Sequence, residues 1–282
     1  TPLASQMEGS GEVPAAAVGV IIVAHGGGPE WNAKVMEAAS EVRLSGPVGV
    51  SFLMGSGAAS SRLQDVQSAL VKQGARRIVL IPLLVSSFSG HYEQIRYLAG
   101  QTDSLDAEMR HHLEMSGITR GTSGVPVSVA PAIDDAPELA EVILTRALAL
   151  GTEPESEAVF LVGHGPSETG EYVAWMANLR RVASSVQARG GFRNVMVDLV
   201  KDDAPPAVRA EPVMRIRELI QLQYAITGRK VLVVPLLVAP GSISRQKLPA
   251  DLADLPIRYS GETLLPNPAI ARWIEASARR AY

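Results

Sequence analysis

The chain has 282 residues, of which 46% are hydrophobic and 20% are charged, and its formal net charge at pH 7 is −3. This composition is typical of a globular protein and argues against a broad nucleic-acid-binding surface, although a local basic site for a small acidic molecule stays possible. The sequence contains no cysteine, which excludes disulfides, thiolate metal sites and a cysteine nucleophile. Any metal must therefore be bound by His, Asp, Glu or backbone groups.

The first seventeen residues are rich in Ser, Gly, Pro and Ala, and we expect residues 1–17 to form a flexible arm. The chain begins at Thr1 rather than Met, as a trimmed chain or a mature product without its leader would. The apolar stretch from Val13 to Ala24 is shorter than the roughly 20 residues that a membrane-spanning helix needs. No membrane segment is therefore predicted.

Strands and helices alternate along the first half of the chain. Strands are predicted over residues 18–24, 48–53, 77–85 and 125–130. Helices are predicted over 30–43, 62–73 and 136–150, the last capped by Asp134 or Asp135, and a broken helical region over 92–115. The pattern returns in the second half, with strands over 158–163, 194–200, 230–238 and 256–260 and a last helix over 268–280.

This alternation predicts parallel βαβ units and an α/β fold. The sequence Pro-Leu-Leu-Val occurs at 82–85 and again at 235–238, so a proline recurs at the same place in two predicted buried strands. We therefore expect two similar flavodoxin-like lobes, each a four-stranded parallel sheet in the order 2-1-3-4 with helices on both faces. The N-terminal lobe would span 18–151, and a degenerate repeat would span 152–282.

Two histidines mark the predicted switch point of the first sheet. The first strand ends at His25, which is followed by Gly26, Gly27, Gly28 and Pro29, a pattern that suits a sharp turn into a helix N-terminus. His91 follows the third strand after the loop 86–90. Strands 1 and 3 are neighbours in the predicted order, so both imidazoles should line one crevice. They could bind a divalent metal or act as bases, or each could cap a strand end through a hydrogen bond.

The other polar candidates are less specific. Glu93 could be a third ligand, an acid/base or an orienting group, or a solvated glutamate in the first turn of a helix. His111 and His112 are expected on a polar surface, because neighbours in sequence do not share a helix face. His164 takes the place of His25 in the second half, but Ser244 stands where His91 would be, so that site is expected to be vestigial or structural. No Gly-x-Ser-x-Gly elbow accompanies His25-Gly-Gly-Gly28, which argues against an esterase.

These features resemble the class II tetrapyrrole chelatases of the CbiX/SirB type, which insert cobalt or ferrous iron into sirohydrochlorin. The resemblance rests on Val-Ala-His25-Gly after the first strand, on Ile-Pro-Leu-Leu-Val before a Ser/Gly loop, on Gly90-His91, and on the degenerate second copy. It covers residues 18–280 and corresponds to the long form with two fused lobes.

The resemblance implies roles for several residues. His25 and His91 would be the metal-binding and proton-accepting pair, with Glu93 near the family's acidic position and Arg96 as a cation for the substrate's carboxylates. The macrocycle would contact Gly26, Gly27, Val85, Ser86, Ser87, Phe88, Ser89 and Gly90. The metal is a substrate, Co²⁺ or Fe²⁺ with Ni²⁺ as a further option, and no organic cofactor is implied. The protein is expected to bind no nucleic acid or membrane and to be a monomer or a weak dimer. The resemblance implies a cytoplasmic location, with export as an alternative because the sequence begins without Met.

The sequence also departs from the family. Gly27 and Gly28 stand where Ser and Arg are common, and the loop 54–60 after the second strand contains no charged residue. A metal or tetrapyrrole carrier without catalytic activity is therefore an alternative function. A divalent-metal hydrolase is a third and weaker alternative function. Its candidate carboxylates would be Asp134, Asp198 and Asp202.

Overall fold

The computed structural model describes residues 14–281. The predicted arm therefore lies mostly outside the described residues, and its last part, Ala15–Ala17, forms a single 3₁₀ turn. The described chain contains eight strands, which are β1 (Val18–Ala24), β2 (Val48–Phe52), β3 (Arg77–Leu83), β4 (Val127–Val129), β5 (Ala158–Gly163), β6 (Asn194–Leu199), β7 (Val231–Leu236) and β8 (Ile257–Tyr259).

The helices of the described residues alternate with these strands. They are α1 (Pro29–Glu41), α2 (Leu63–Lys72), α3 (Gly90–Leu98), α4 (Ala107–Met115), α5 (Pro137–Leu150), α6 (Thr169–Gly190), α7 (Pro206–Thr227), a π-helical turn (Ile243–Lys247) that continues into α8 (Leu248–Asp251), and α9 (Pro268–Arg280). The broken helical region over 92–115 is thus two helices. The predicted capping of α5 by Asp134 or Asp135 is wrong, because Ala136 is the residue before the helix and no side chain caps it.

The strands form two all-parallel sheets with the orders β2-β1-β3-β4 and β6-β5-β7-β8. The predicted fold class and strand order are therefore confirmed. β1 and β5 are buried along their whole length, as expected for central strands covered on both faces.

Proline lies inside the central strands β3 and β7 because each neighbouring ladder ends before it. β4 pairs only with Ile78–Leu80 of β3, and the amide of Ile78 donates to the β4 side at Pro126. Residues 78 and 82 are an even number of positions apart in the strand, so the backbone nitrogen of Pro82 faces the β4 side, as that of Ile78 does. Because β4 has ended at this level, the N–H that proline lacks costs no ladder hydrogen bond. Pro235 lies equally beyond the pairing of β7 with β8.

The two halves share one hydrophobic core. α5 packs against β7 and α6 of the second half, and α9 packs against α1 and β3 of the first half. Arg146 of α5 donates to the carbonyl of Thr263 at 3.0 Å and pairs with Glu262 at 2.8 Å. The boundary proposed between residues 151 and 152 separates the two sheets. The last helix of each half, however, packs against the other half. The division into two lobes at this boundary is our interpretation of the domain organisation.

Candidate functional site

One large cleft lies where the carboxyl ends of β1, β3, β5 and β7 meet. Its volume is about 1410 Å³, and both halves of the chain line it. Pockets for small ligands are commonly about 300–1,000 Å³, so this cleft has room for a large ligand. Four of the chain's five histidines line it, namely His25, His91, His112 and His164.

The structure brings His25 and His91 together, although they are far apart in sequence. Their ring centroids are 4.5 Å apart and the ring planes are inclined at 82°. His25 lies just after β1 and His91 in the first turn of α3, which Ser89 caps by accepting from the amide of Tyr92. The adjacency of β1 and β3 thus places the two imidazoles at one point of the cleft.

Hydrogen bonds set the tautomer of both rings. Nδ1 of His25 lies 2.7 Å from the carbonyl oxygen of Gly26, so this nitrogen must carry the proton. Nδ1 of His91 lies 2.8 Å from Oε1 of Gln94, and the amide of Gln94 donates in turn to the carbonyl of Met109 at 2.6 Å. The second bond orients the buried amide, so Nδ1 of His91 is also the donor. Both histidines therefore keep the Nε2 lone pair for a metal or a proton.

The surroundings of the pair favour the neutral imidazoles. Burial lowers the pKa of His25, against the opposing effect of the hydrogen bond to Gly26. Burial and the neighbouring His25 lower the pKa of His91 from its ordinary 6.5 to about 4. Because a histidine must be deprotonated to bind a metal, both rings are in the binding form at neutral pH.

We expect Co²⁺ binding to resist mild acid for this reason. A lowered pKa means that the neutral form of each ring persists to lower pH. The affinity should therefore fall less between pH 7 and pH 5.5 than it would for two imidazoles with ordinary pKa values, which would each be about 90% protonated at pH 5.5. Calorimetric titration of untagged protein with Co²⁺ at a series of pH values measures this. A loss of affinity centred near pH 6.5 would contradict it.

The loop 85–90 is attached to both halves of the protein. The carboxylate of Asp134 accepts from the amide of Ser87 at 2.8 Å, from its hydroxyl at 2.6 Å, and from the side chain of Asn178 on α6 at 3.1 Å. The indole of Trp175, also on α6, donates to the carbonyl of Phe88. Of the predicted loop residues, Val85, Ser86, Ser89 and Gly90 line the cleft together with Gly26 and Gly27, whereas Ser87 and Phe88 are not among the lining residues.

Replacing Asp134 by alanine should release this loop. The substitution leaves the amide of Ser87 and the side chain of Asn178 without their acceptor, and we expect it to lower the free energy of unfolding by about 1–3 kcal/mol. Asp135→Ala is the matched control, because the carboxylate of Asp135 pairs with Arg181 on the surface and should contribute less than about 1 kcal/mol. Urea denaturation of the two variants measures the difference, and equal effects would contradict the assigned role of Asp134.

The remaining candidate residues of the first half lie partly outside the cleft. Glu93 pairs with Arg96 at 3.1 Å, both side chains are partly exposed, and neither is among those that line the cleft. His111 is exposed as predicted. His112 instead lines the cleft, and its buried Nδ1 has no hydrogen-bond partner among the described residues. The sequence could not show this, because it does not reveal that α4 borders the cleft.

The second half contributes a histidine and a carboxylate to the same cleft. Nδ1 of His164 lies 2.8 Å from the carbonyl oxygen of Gly165, which reproduces the bond between His25 and Gly26. Its Nε2 lies 3.1 Å from Oδ2 of Asp203. The sequence analysis missed Asp203; the available signal was its position after the strand that repeats β2, in the loop that corresponds to 54–60.

The carboxylates suggested for a hydrolase are bound to other side chains. Asp198 is buried and accepts from Tyr172 at 2.7 Å and from Arg215 at 2.7 Å. Asp202 accepts from Arg209 at 3.1 Å and from Lys247 at 2.7 Å. With Asp134 holding the loop 85–90, these carboxylates hold the fold together, and the geometry does not favour the hydrolase.

The cleft is strongly acidic. The carboxylates that line it are Glu30, Asp106, Glu108, Glu168, Glu171 and Asp203, whereas Arg245 is the one Lys or Arg among the lining residues of the described chain, and it pairs with Glu30. A cleft of one sign raises the local concentration of oppositely charged ions. The lining thus favours entry of divalent cations and gives little direct attraction to carboxylates.

Comparisons with known proteins bear on the family and the fold. Residues 19–150 match the CbiX family. SirB from Bacillus subtilis, solved with Fe³⁺, has a TM-score of 0.60 and 19% identity over 93% of this chain and 94% of its own. A multi-domain protein from Deinococcus radiodurans, described as structurally similar to chelatases with two additional novel domains, gives 0.60 and 18% identity over 95% of this chain and 56% of its own.

No curated protein sequence matches the chain. At such low identities the two solved structures show the fold alone, and the family evidence comes from the N-terminal half. Within the described residues, no helix combines the length and the apolar character that crossing a bilayer requires. The resemblance to CbiX/SirB-type chelatases is confirmed: residues 19–150 match the CbiX family, and the described residues have the fold of SirB and of the chelatase-like Deinococcus protein.

Proposed function

We propose that the protein inserts a divalent metal, Co²⁺ or Fe²⁺, into sirohydrochlorin or a related tetrapyrrole. The observation that carries this proposal is the pair His25 and His91. Their adjacent rings line a cleft with room for a macrocycle, and both use Nδ1 for their hydrogen bonds, which leaves Nε2 for a metal. The match to the CbiX family supports metal chelation with tetrapyrroles in general. The choice of Co²⁺ or Fe²⁺ and of sirohydrochlorin is our own proposal and goes beyond this match.

The arrangement suggests how the residues act. His25 and His91 hold the metal at one face of the ring, and the neutral imidazoles replace part of its water shell. The loop 85–90, anchored by Asp134 and Trp175, positions the macrocycle above the metal. As the metal passes to the ring nitrogens it leaves His25, whose vacated Nε2 can accept a pyrrole proton. Glu93 has no part in this step, since it pairs with Arg96 outside the lining of the cleft.

The metal and the location follow from the family resemblance. Imidazole suits several first-row divalent ions, so Co²⁺, Fe²⁺ and Ni²⁺ all fit the pair, and SirB, with the same fold, was solved with Fe³⁺. A cytoplasmic monomer with two lobes is the proposed form of the protein. The acidic lining offers few cations for the carboxylates of sirohydrochlorin, so these should point to solvent or meet backbone N–H groups.

A spectroscopic assay tests the function. Catalytic amounts of protein are mixed anaerobically with excess sirohydrochlorin and Co²⁺, Fe²⁺ or Ni²⁺, and the absorption change of metalation is followed against the uncatalysed rate. Many turnovers per protein would support the enzyme. No acceleration with sirohydrochlorin or with other free-base tetrapyrroles would reject it.

A metal or tetrapyrrole carrier is the second candidate. It is supported by the loop 54–60, which has no charged side chain that could meet a substrate, although Met54 lines the cleft. The same assay separates the two functions, because a carrier gives one stoichiometric spectral change that ends when the protein is saturated.

A further inference from the structure

The second half presents a different side chain to the cleft at the place that corresponds to His91. When the two halves are aligned on Pro-Leu-Leu-Val, His91 corresponds to Ser244, whose buried side chain accepts from the amide of Gly241 at 3.1 Å. The next residue, Arg245, lines the cleft. A guanidinium of the second half therefore faces the cleft close to the position in the repeat where the first half has its imidazole.

Arg245 lies in an unusual turn of the backbone. Residues Ile243–Lys247 form a π-helical turn, a rare conformation that is frequent at functional sites. The hydroxyl of Tyr259 donates to the carbonyl of Ser244 at 2.5 Å, and the amide of Arg245 donates to the carbonyl of Gly241 at 3.1 Å. The backbone that carries Arg245 is therefore held in place, whereas the side chain of Arg245 is 52% exposed.

The guanidinium of Arg245 is paired with Glu30 of the first half. Nη1 donates to Oε2 at 2.6 Å and Nη2 donates to Oε1, which is the bidentate geometry by which arginine binds carboxylates. Glu30 lies in the first turn of α1, where the helix dipole stabilises its negative charge without help from Arg245. Both side chains are more than half exposed, and exposed ion pairs contribute little to stability. Replacing Glu30 by the carboxylate of a ligand should therefore cost little.

The charge of the cleft makes Arg245 distinctive. It is the one Lys or Arg that lines the cleft among the described residues, against six carboxylates. Arg96, which the sequence suggested for the substrate's carboxylates, pairs with Glu93, and neither lines the cleft. A tetrapyrrole of the sirohydrochlorin type carries several carboxylates, most of which must face solvent in so acidic a cleft. Arg245 offers a defined place for one of them.

We propose that Arg245 binds one peripheral carboxylate of the tetrapyrrole and that Glu30 holds the guanidinium until the ligand replaces it. This inference rests on the proposed function, because it names how the same cleft recognises its macrocycle. Arginine offers two parallel donors to a carboxylate, so the contact restrains how the ring is turned in the cleft. A macrocycle without a carboxylate at this place lacks the contact, and Arg245 thus selects carboxylated tetrapyrroles.

Binding of a metal-free tetrapyrrole, followed by absorption or fluorescence titration without metal, tests the inference separately from catalysis. We expect Arg245→Gln to weaken the affinity for sirohydrochlorin about tenfold, as the loss of a charge-assisted hydrogen bond would. The same variant should not weaken the binding of a water-soluble porphyrin that carries N-methylpyridinium groups and no carboxylate. Glu30→Gln should strengthen the binding of sirohydrochlorin by about threefold, because Arg245 loses its competing partner. This gain should be much smaller when Arg245 is replaced as well.

Arg272 and Glu141 provide matched controls. They form another exposed pair between the two halves, at 2.6 Å, and neither lines the cleft. Arg272→Gln and Glu141→Gln should therefore bind sirohydrochlorin as wild type does. The affinity of Arg245→Gln for Co²⁺, measured by calorimetry without a tetrapyrrole, should stay within about threefold of the wild-type value, because the histidine pair is unchanged.

Each other outcome contradicts the inference in its own way. If Arg245→Gln binds sirohydrochlorin as tightly as wild type, the pair with Glu30 only joins the two halves. If Arg245→Gln also weakens the porphyrin without carboxylates, the variant has changed the shape of the cleft. If Glu30→Gln strengthens binding equally with and without Arg245, Glu30 acts by repulsion and does not compete for the guanidinium.

The binding assay also distinguishes failure of the inference from failure of the proposed function. Turnover tests insertion, whereas the affinities test Arg245. A protein that binds sirohydrochlorin through Arg245 and shows no turnover would be a carrier, and the inference would stand. A wild-type protein that binds no tetrapyrrole would reject both.

Discussion

Alanine at either His25 or His91 is expected to abolish metal insertion and leave the protein folded. Each substitution removes one of two adjacent imidazoles that line the cleft and use Nδ1 for their hydrogen bonds, so the remaining ring offers one ligand where two are needed. We expect the insertion rate to fall by about 10²-fold to 10⁴-fold. The affinity for Co²⁺, measured by calorimetry without a tetrapyrrole, should fall as well.

Folding should survive because neither ring belongs to the hydrophobic core. His25→Ala removes only the partner of the Gly26 carbonyl, which water from the cleft can replace. His91→Ala leaves Oε1 of Gln94 without its donor, so a cost of about 1 kcal/mol is expected there. Circular dichroism and urea denaturation measure the fold, and the tetrapyrrole spectrum measures activity. Wild-type turnover in the double variant His25→Ala/His91→Ala would reject the metal site and the function built on it.

The fold could be predicted from the sequence to within a few residues at most strand ends. β1, β5 and α9 have the predicted bounds. Gly and Pro mark the turns after β1 and β5, and Pro268 marks the start of α9. β3 is predicted to reach Val85 but ends at Leu83, since the amide of Leu84 turns back to the carbonyl of Pro82. The apolar run Pro-Leu-Leu-Val at 82–85 does not show where this turn falls.

The meeting of His25 and His91 could be inferred from the strand order, because the rule for switch points in parallel sheets places both at one edge. The parts that could not be inferred come from elements brought in by packing. α4 brings His112 to the cleft, and the second half brings His164 and Asp203. A degenerate repeat suggested a vestigial second site, since Ser244 stands in place of His91. Nothing in one half of the sequence tells which face of the other half will oppose it.

The three glycines after His25 also illustrate this limit. Their run predicts a turn, but the sequence does not tell which of them makes it. In the structure only Gly26 has a positive φ, +90°. Its carbonyl accepts from His25, and the backbone of the next loop packs directly on it, because Met54 donates its amide to the carbonyl of His25 at 2.9 Å. The turn that places the imidazole is therefore fixed by Gly26.

Gly26→Ala should consequently be among the most damaging single substitutions in the protein. A Cβ at this position would lie 2.0 Å from the carbonyl oxygen of Met54. In addition, a φ of +90° is a backbone conformation that residues with a side chain rarely adopt. Because the obstacle is backbone, it cannot rotate away. The strain at φ and the overpacking each cost about 1–3 kcal/mol, so we expect the free energy of unfolding to fall by about 3 kcal/mol or more. Urea denaturation measures this loss.

Gly28→Ala is the matched control two residues away. A Cβ there would meet no atom within 4 Å, and Gly28 has an ordinary φ of −71° before α1, so its effect should stay within about 0.5 kcal/mol. Gly165→Ala repeats the test in the second half, where a Cβ would lie 2.5 Å from Cβ of Leu199 at a φ of +75°. If Gly26→Ala were as stable as Gly28→Ala, the turn would not hold His25 in place, and the position of its imidazole beside His91 would need another cause.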